Sequence, residues 1–259
     1  MDGIVEIKVI LSCIGEPEKV KIESYGEFEM KVIGLIGGMS WESTVTYYQI
    51  INEEMKKRLG GLHSAKIILY SEDFDEIERC QSSGDWEKSG AILGSTAQSL
   101  EKAGADFLLI CTNTMHKVAP QIVSRVGIPI VHIAEATADE LERCHIQRVG
   151  LLGTKYTMTQ AFYKQILMDR GIDVIIPEGE DIEVVNNIIF QELCAGEIRE
   201  ESRRQFQNII DKLKEKGAEG VILGCTEIGL LIQQSDSSLP VFDTTRIHAK
   251  RAVEIALED

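Results

Sequence analysis

From Lys31 onward, short runs of consecutive apolar residues alternate with longer stretches in which apolar residues recur every three or four positions. The runs cover residues 32–36, 67–70, 107–110 and 128–131, and then 149–152, 174–176, 221–223 and 240–242. An uninterrupted apolar run bounded by Gly or Pro is the pattern of a strand buried on both faces, as in a parallel sheet. Between the runs, sets such as Phe206, Ile209, Ile210 and Leu213, with charged residues at the other positions, predict amphipathic helices. The alternation predicts an α/β fold with right-handed crossovers. Residues 1–29 differ. Segments 5–9 and 19–23 alternate like two short strands and a second methionine, Met30, follows them, so this stretch reads as a dispensable extension or a misassigned start more readily than as an added hairpin.

The chain also repeats itself. Val32-Ile33-Gly34-Leu35-Ile36-Gly37 matches Arg148-Val149-Gly150-Leu151-Leu152-Gly153, and Gly104-Ala105-Asp106-Phe107-Leu108-Leu109-Ile110-Cys111-Thr112-Asn113 matches Gly217-Ala218-Glu219-Gly220-Val221-Ile222-Leu223-Gly224-Cys225-Thr226. Each half then reaches a prolyl strand, at Pro129 or Pro240. The repeat predicts two similar parallel-sheet α/β domains related by a pseudo-two-fold duplication, with the active site in the cleft between them. Residues 30–133 form the first, 134–244 the second, and a last helix at 245–259 returns to pack on the first.

Composition narrows the functions. The 259-residue chain is 44% hydrophobic and carries a formal net charge of −15, which gives nucleic acid no basic footprint. No apolar run is long enough to span a bilayer and the start lacks a secretory layout, so a cytoplasmic protein without membrane contact is expected. Six scattered cysteines without a CxxC pair read as free thiols. The glycines Gly34, Gly37 and Gly38 do not have the spacing of a dinucleotide loop, and no His/Cys/Asp set has metal-ligand spacing, so no cofactor and no metal is predicted.

In parallel α/β sheets ligands collect beyond the carboxyl ends of the strands. The duplicated strands end in Cys111-Thr112-Asn113-Thr114 and Gly224-Cys225-Thr226-Glu227, small polar segments suited to capping helices and to offering amides or hydroxyls to a carboxylate. The alignment sets Thr112 opposite Cys225 and turns Cys111, one residue earlier, away from the cleft. A thiol at a helix N-terminus is expected to have a lowered pKa, whereas a hydroxyl is a poor base on its own.

At these residues the chain resembles the aspartate/glutamate racemase family. The segment 34–44, with Cys111-Thr112-Asn113-Thr114-Met115-His116 and Gly224-Cys225-Thr226-Glu227-Ile228, carries the likeness in three ordered motifs. It is most similar to the branch described as L-aspartate/glutamate-specific or broad-specificity racemases. The resemblance implies racemisation by two facing groups without pyridoxal phosphate or metal, each group serving one face of the α carbon, in a homodimer acting on a small-molecule amino acid. It makes Cys225 the second catalytic cysteine and Thr112 the first catalytic position, where the family has another cysteine. It further implies substrate contacts from Met39, the amides near Gly37 and Gly38, Gln81, Asn113, Thr114 and Thr226. Where strict aspartate racemases carry an arginine, this chain has Glu78, with Arg79 beside it.

For a lone strand-end cysteine burial in the core is the ordinary explanation, and it is kept for Cys80, Cys144 and Cys194. Cys111 stands between core residue and site neighbour. His116 is as well explained by a structural hydrogen bond, Lys155 and Lys164 by solvation, and Glu227 either tunes Cys225 or caps a helix. The expected substrate is aspartate, glutamate or a related polar amino acid such as homoserine. The alternatives are another cofactor-free isomerase or decarboxylase of the same fold, or an amino-acid-binding sensor without catalysis.

Overall fold

The computed structural model describes residues 29–258. The two short strands read in the first 29 residues, and Cys13, lie outside the described residues.

Eight strands form where the apolar runs lie: β1 (Ile33–Gly37), β2 (Ile67–Ser71), β3 (Phe107–Ile110), β4 (Ile130–Val131), β5 (Arg148–Gly153), β6 (Asp173–Ile175), β7 (Gly220–Gly224) and β8 (Val241–Asp243). They make two four-stranded parallel sheets with the same topology, β2-β1-β3-β4 and β6-β5-β7-β8. The inner strands β1, β3 and β7 are buried along their whole length, as continuous apolar runs require. β2 departs from that reading: as an edge strand it leaves Leu69 and Tyr70 half-exposed.

Helices cover both faces of each sheet. In the first half, helix Trp41–Leu59 packs Tyr47, Ile50, Ile51 and Met55 against Ile33, Leu35, Phe107 and Leu109. Helix Trp86–Lys102 packs Leu93, Ala97 and Leu100 against Ile36, Leu108 and Ile110 on the opposite face. In the second half, helix Glu200–Glu215 buries Phe206, Ile209, Ile210 and Leu213, the set read from the sequence, beside Val221 and Leu223. Helix Ile133–Arg143 packs with Val149, Leu151 and Ile222 of the second sheet.

The last helix, Thr244–Ala256, begins directly after β8 but places Ala249, Ala252, Val253 and Ala256 in the core of the first half, against the side chains of helix Trp41–Leu59. Its row of alanines allows the two helices to approach closely. No helix among the described residues is long and apolar enough to cross a membrane.

Candidate active site

Three strand ends converge. β1 leads through Gly37, Gly38, Met39 and Ser40, β3 through residues 111–114, and β7 through Cys225, Thr226 and Glu227. They close on a cavity with a free volume of about 20 Å³, room for about one water molecule. Its polar lining includes Gln81, Thr112, Asn113, Thr114, Thr154 and Glu227, its sulfur atoms come from Met39, Cys194 and Cys225, and Phe74, Ile189 and Phe190 make an apolar wall. Thr112 and Cys225, from opposite halves, therefore line the same space. A larger surface cleft of about 740 Å³ lies between helices Trp41–Leu59, Ile133–Arg143 and Thr244–Ala256, and neither residue lines it.

Glu227 organises one side. Its carboxylate is 4% exposed, and it accepts hydrogen bonds from Ser40 Oγ at 2.6 Å, Thr226 Oγ1 at 2.7 Å and the Cys225 thiol at 3.0 Å. Ser40 reaches it from the first half, where it also caps helix Trp41–Leu59. Burial raises the Cys225 pKa well above that of an ordinary thiol, and the negative charge of Glu227 raises it further. This corrects the expectation of a lowered pKa. The helix that was to lower it, Ile228–Leu231, has only four residues, too short for a substantial macrodipole, and a carboxylate stands beside the sulfur.

The other strand end also lacks a long helix. Residues Thr114–Val118 form a 3₁₀ turn followed by the short helix Ala119–Val123, and neither Asn113 nor Glu227 makes a side-chain capping bond. Asn113 instead donates from Nδ2 to Thr244 Oγ1 at 3.0 Å, and Thr244 donates to the Leu223 carbonyl at 2.8 Å. The hydroxyls of Thr114 and Thr154 are 3.0 Å apart, and Gln81 donates to the sulfur of Met115 at 3.0 Å.

Behind Thr112 lies a buried histidine cluster. The backbone N–H of Ile133 donates to His116 Nε2 at 3.1 Å, so Nδ1 carries the ring proton and donates to the Thr112 carbonyl at 2.8 Å. The His132 ring centroid is 4.5 Å from that of His116, and that of His248 5.7 Å. His248 donates from Nε2 to the Val131 carbonyl and accepts from the Tyr47 hydroxyl at Nδ1, each at 2.8 Å. Burial holds all three rings neutral: it lowers the pKa of His116 well below the usual value and those of His132 and His248 to about 4 and about 3.

Comparison with known proteins assigns the family. The profile of the Asp/Glu/Hydantoin racemase family matches residues 36–252. The chain belongs to this family. Among individual relatives of this racemase, a crystal structure from Yersinia pestis, described as a candidate Asp/Glu racemase, is 54% identical, with a TM-score of 0.83 over 88% of this chain and 100% of that one. An aspartate racemase homologue from Pyrococcus horikoshii is 38% identical, with a TM-score of 0.78 over the same shares. The broad-specificity amino-acid racemase RacX of Bacillus subtilis is 24% identical across 87% of this chain and 98% of its own length.

Not every residue named from the racemase sequence reaches the cavity. Met39, Gln81, Thr112, Asn113, Thr114 and Cys225 line it, whereas the Thr226 hydroxyl is turned onto Glu227. Cys111 is buried in the core with Tyr47 and Leu109. The Lys164 ammonium rests on the Thr159 carbonyl, and Lys155 is paired with Glu183, both away from the lining. Arg79 pairs with Asp75 at 2.6 Å, and neither it nor Glu78 lines the cavity. The Gly38 amide, expected to meet substrate, donates to Thr44 Oγ1 at 2.9 Å. Gly38 itself is required by packing, because its φ is +89° and a Cβ there would come within 2.2 Å of the Glu72 carbonyl oxygen.

Sequence reasoning missed Ser40, Thr154, Cys194, Thr244 and His248. Ser40 stood inside the first motif and could have been weighed as a partner of Glu227. Thr154 directly follows the repeated segment that ends at Gly153 and could have been weighed as the counterpart of Gly38. Cys194, Thr244 and His248 lie far from any motif, and only the closing of the two halves and the return of the last helix bring them in.

Two measurements test this site. Alkylation of Cys225 by iodoacetamide, followed by peptide mass spectrometry, is slow at pH 7.5 and speeds up as pH rises; Glu227→Gln removes the charge and shifts that rise to lower pH, and an unshifted profile would contradict the coupling. The histidine pKa values are depressed on folding, so the unfolded chain binds more protons once pH falls below about 6.5. Stability is therefore full above that value and declines as pH falls toward the folded-state values, by up to about 1.4 kcal/mol per pH unit for each histidine. Thermal unfolding midpoints that did not fall between pH 7 and pH 5 would refute the neutral cluster.

Proposed function

We propose that this racemase interconverts the enantiomers of an amino acid by moving the α-proton between Cys225 and Thr112, without pyridoxal phosphate or metal. The observation that supports the reading is the shared cavity, whose lining includes Thr112 and Cys225, residues at matching strand ends of the two halves. A thiol with a raised pKa rests protonated. Glu227, already hydrogen-bonded to it, accepts that proton; the thiolate takes the α-proton from one enantiomer as the Thr112 hydroxyl gives its proton to the opposite face, and the proton held by Glu227 then passes by way of solvent to the Thr112 oxygen, which restores the starting state. In reverse the hydroxyl must act as the base, a harder task, so α-exchange is faster from one enantiomer than from the other.

The lining also bears on the side chain. Among the described residues, Glu227 is the only charged group on the cavity, and Phe74, Ile189 and Phe190 form its apolar wall. A second substrate carboxylate would enter without a cation to meet it, and burying an uncompensated carboxylate costs several kcal/mol. This favours amino acids with uncharged side chains, such as homoserine, over aspartate and glutamate. With room for about one water in the closed cavity, the halves must part for substrate to enter.

Incubation of the pure protein with L- and D-amino acids in deuterated water reads the reaction directly. Deuterium enters the α position; Cys225→Ala and Thr112→Ala each slow exchange by about 10²–10⁴-fold, while Cys111→Ala retains most of it. Loss of exchange in the Cys111 variant with retention in the Cys225 variant would overturn the assignment. In the same survey homoserine exchanges faster than aspartate or glutamate at equal concentration, and the opposite order would refute the uncharged-side-chain reading.

A further inference from the structure

Asn113 lines the cavity with an unpartnered amide oxygen, and Thr244 fixes which way that amide is turned. Asn113 is 2% exposed and lines the cavity, and its Oδ1 is buried without a hydrogen-bond partner among the described residues. Its Nδ2 donates to the Thr244 hydroxyl, which donates to the carbonyl of Leu223. A hydroxyl has one proton to give. The Leu223 carbonyl can only accept, so the Thr244 proton is committed to it and the Thr244 oxygen can only receive a hydrogen from Asn113. Turning the amide over would set two oxygens against each other with no hydrogen between them. The orientation of Asn113, after β3 of one half, is thus dictated by a backbone carbonyl of β7 in the other, two residues before Cys225.

A buried acceptor without a donor is destabilising, and a charged donor satisfies it best. The α-ammonium of an amino acid is such a donor. We propose that Thr244 is a positioning residue that locks Asn113 with Oδ1 toward the substrate's α-ammonium group. This rests on the reading of the cavity as an amino-acid site and adds which pole of the zwitterion meets Asn113. It also reverses the expectation from sequence, in which Asn113 served the carboxylate.

The test compares L-homoserine with L-2,4-dihydroxybutyrate, which has a hydroxyl in place of the ammonium, by calorimetric titration of wild type, Thr244→Val and Thr244→Ser. Wild type binds homoserine about tenfold more tightly than the hydroxy acid. Thr244→Val frees the amide to turn: homoserine affinity falls about tenfold, whereas the hydroxy acid, whose hydroxyl can donate or accept, changes by less than about twofold. Thr244→Ser restores the wild-type values, and KM for homoserine rises in the valine variant more than kcat falls. Equal losses for both compounds, no loss, or no binding of homoserine to wild type would each overturn the proposal. Should the valine variant fail to fold, equal affinities of wild type for the two compounds would overturn it. Homoserine binding without α-exchange would sink the racemase reading and leave the assignment of Asn113 standing.

Discussion

A carboxylate withdrawn from water needs donors held in fixed places, and Glu227 draws its donors from both halves of the chain. Ser40 reaches it from the start of the first helix; Cys225 and Thr226 reach it from the end of β7. Removing one hydrogen-bond partner from such a buried arrangement costs about 1–3 kcal/mol, and more where the group left unsatisfied is charged. The closure of the two halves and the protonation of the thiol are therefore one constraint. Parting of the halves would take the Ser40 hydroxyl away from the carboxylate that sits beside the sulfur.

The opposite side of the cavity is built differently. Among the described residues no charged side chain is hydrogen-bonded to Thr112; behind its carbonyl stands His116, neutral and fixed in one tautomer by the Ile133 amide. That ring packs with those of His132 and His248 into a cluster of polar groups that carry no charge. The asymmetry between hydroxyl and thiol thus extends outward into the residues that support each of them.

The fold was readable because its strands are uninterrupted apolar runs and because the chain repeats its own strand ends, so two similar parallel sheets follow from burial and duplication, whereas the order of strands within each sheet does not. The strand-end residues Thr112, Asn113, Thr114 and Cys225 were readable for the same reason. The chemical state of Cys225 was not: the argument from a helix N-terminus assumed a helix longer than Ile228–Leu231 and took no account of a carboxylate two residues away. Nor was the polarity of Asn113, which depends on Thr244, a residue on a helix that starts in one half and finishes in the core of the other. Lys164 illustrates the converse, since a lysine at a plausible distance along the chain says nothing about where its ammonium comes to rest.

That returning helix bears on how the protein is made. Ala249, Ala252, Val253 and Ala256 belong to the core that Tyr47, Ile51 and Met55 begin, yet in the chain they follow every strand of the second half. The first sheet is thus synthesised early with helix Trp41–Leu59 on it, but the helix that completes this part of its core follows only after the second sheet has been made. Despite the duplicated design, the nascent chain cannot complete one half and then the other; its first half is finished last.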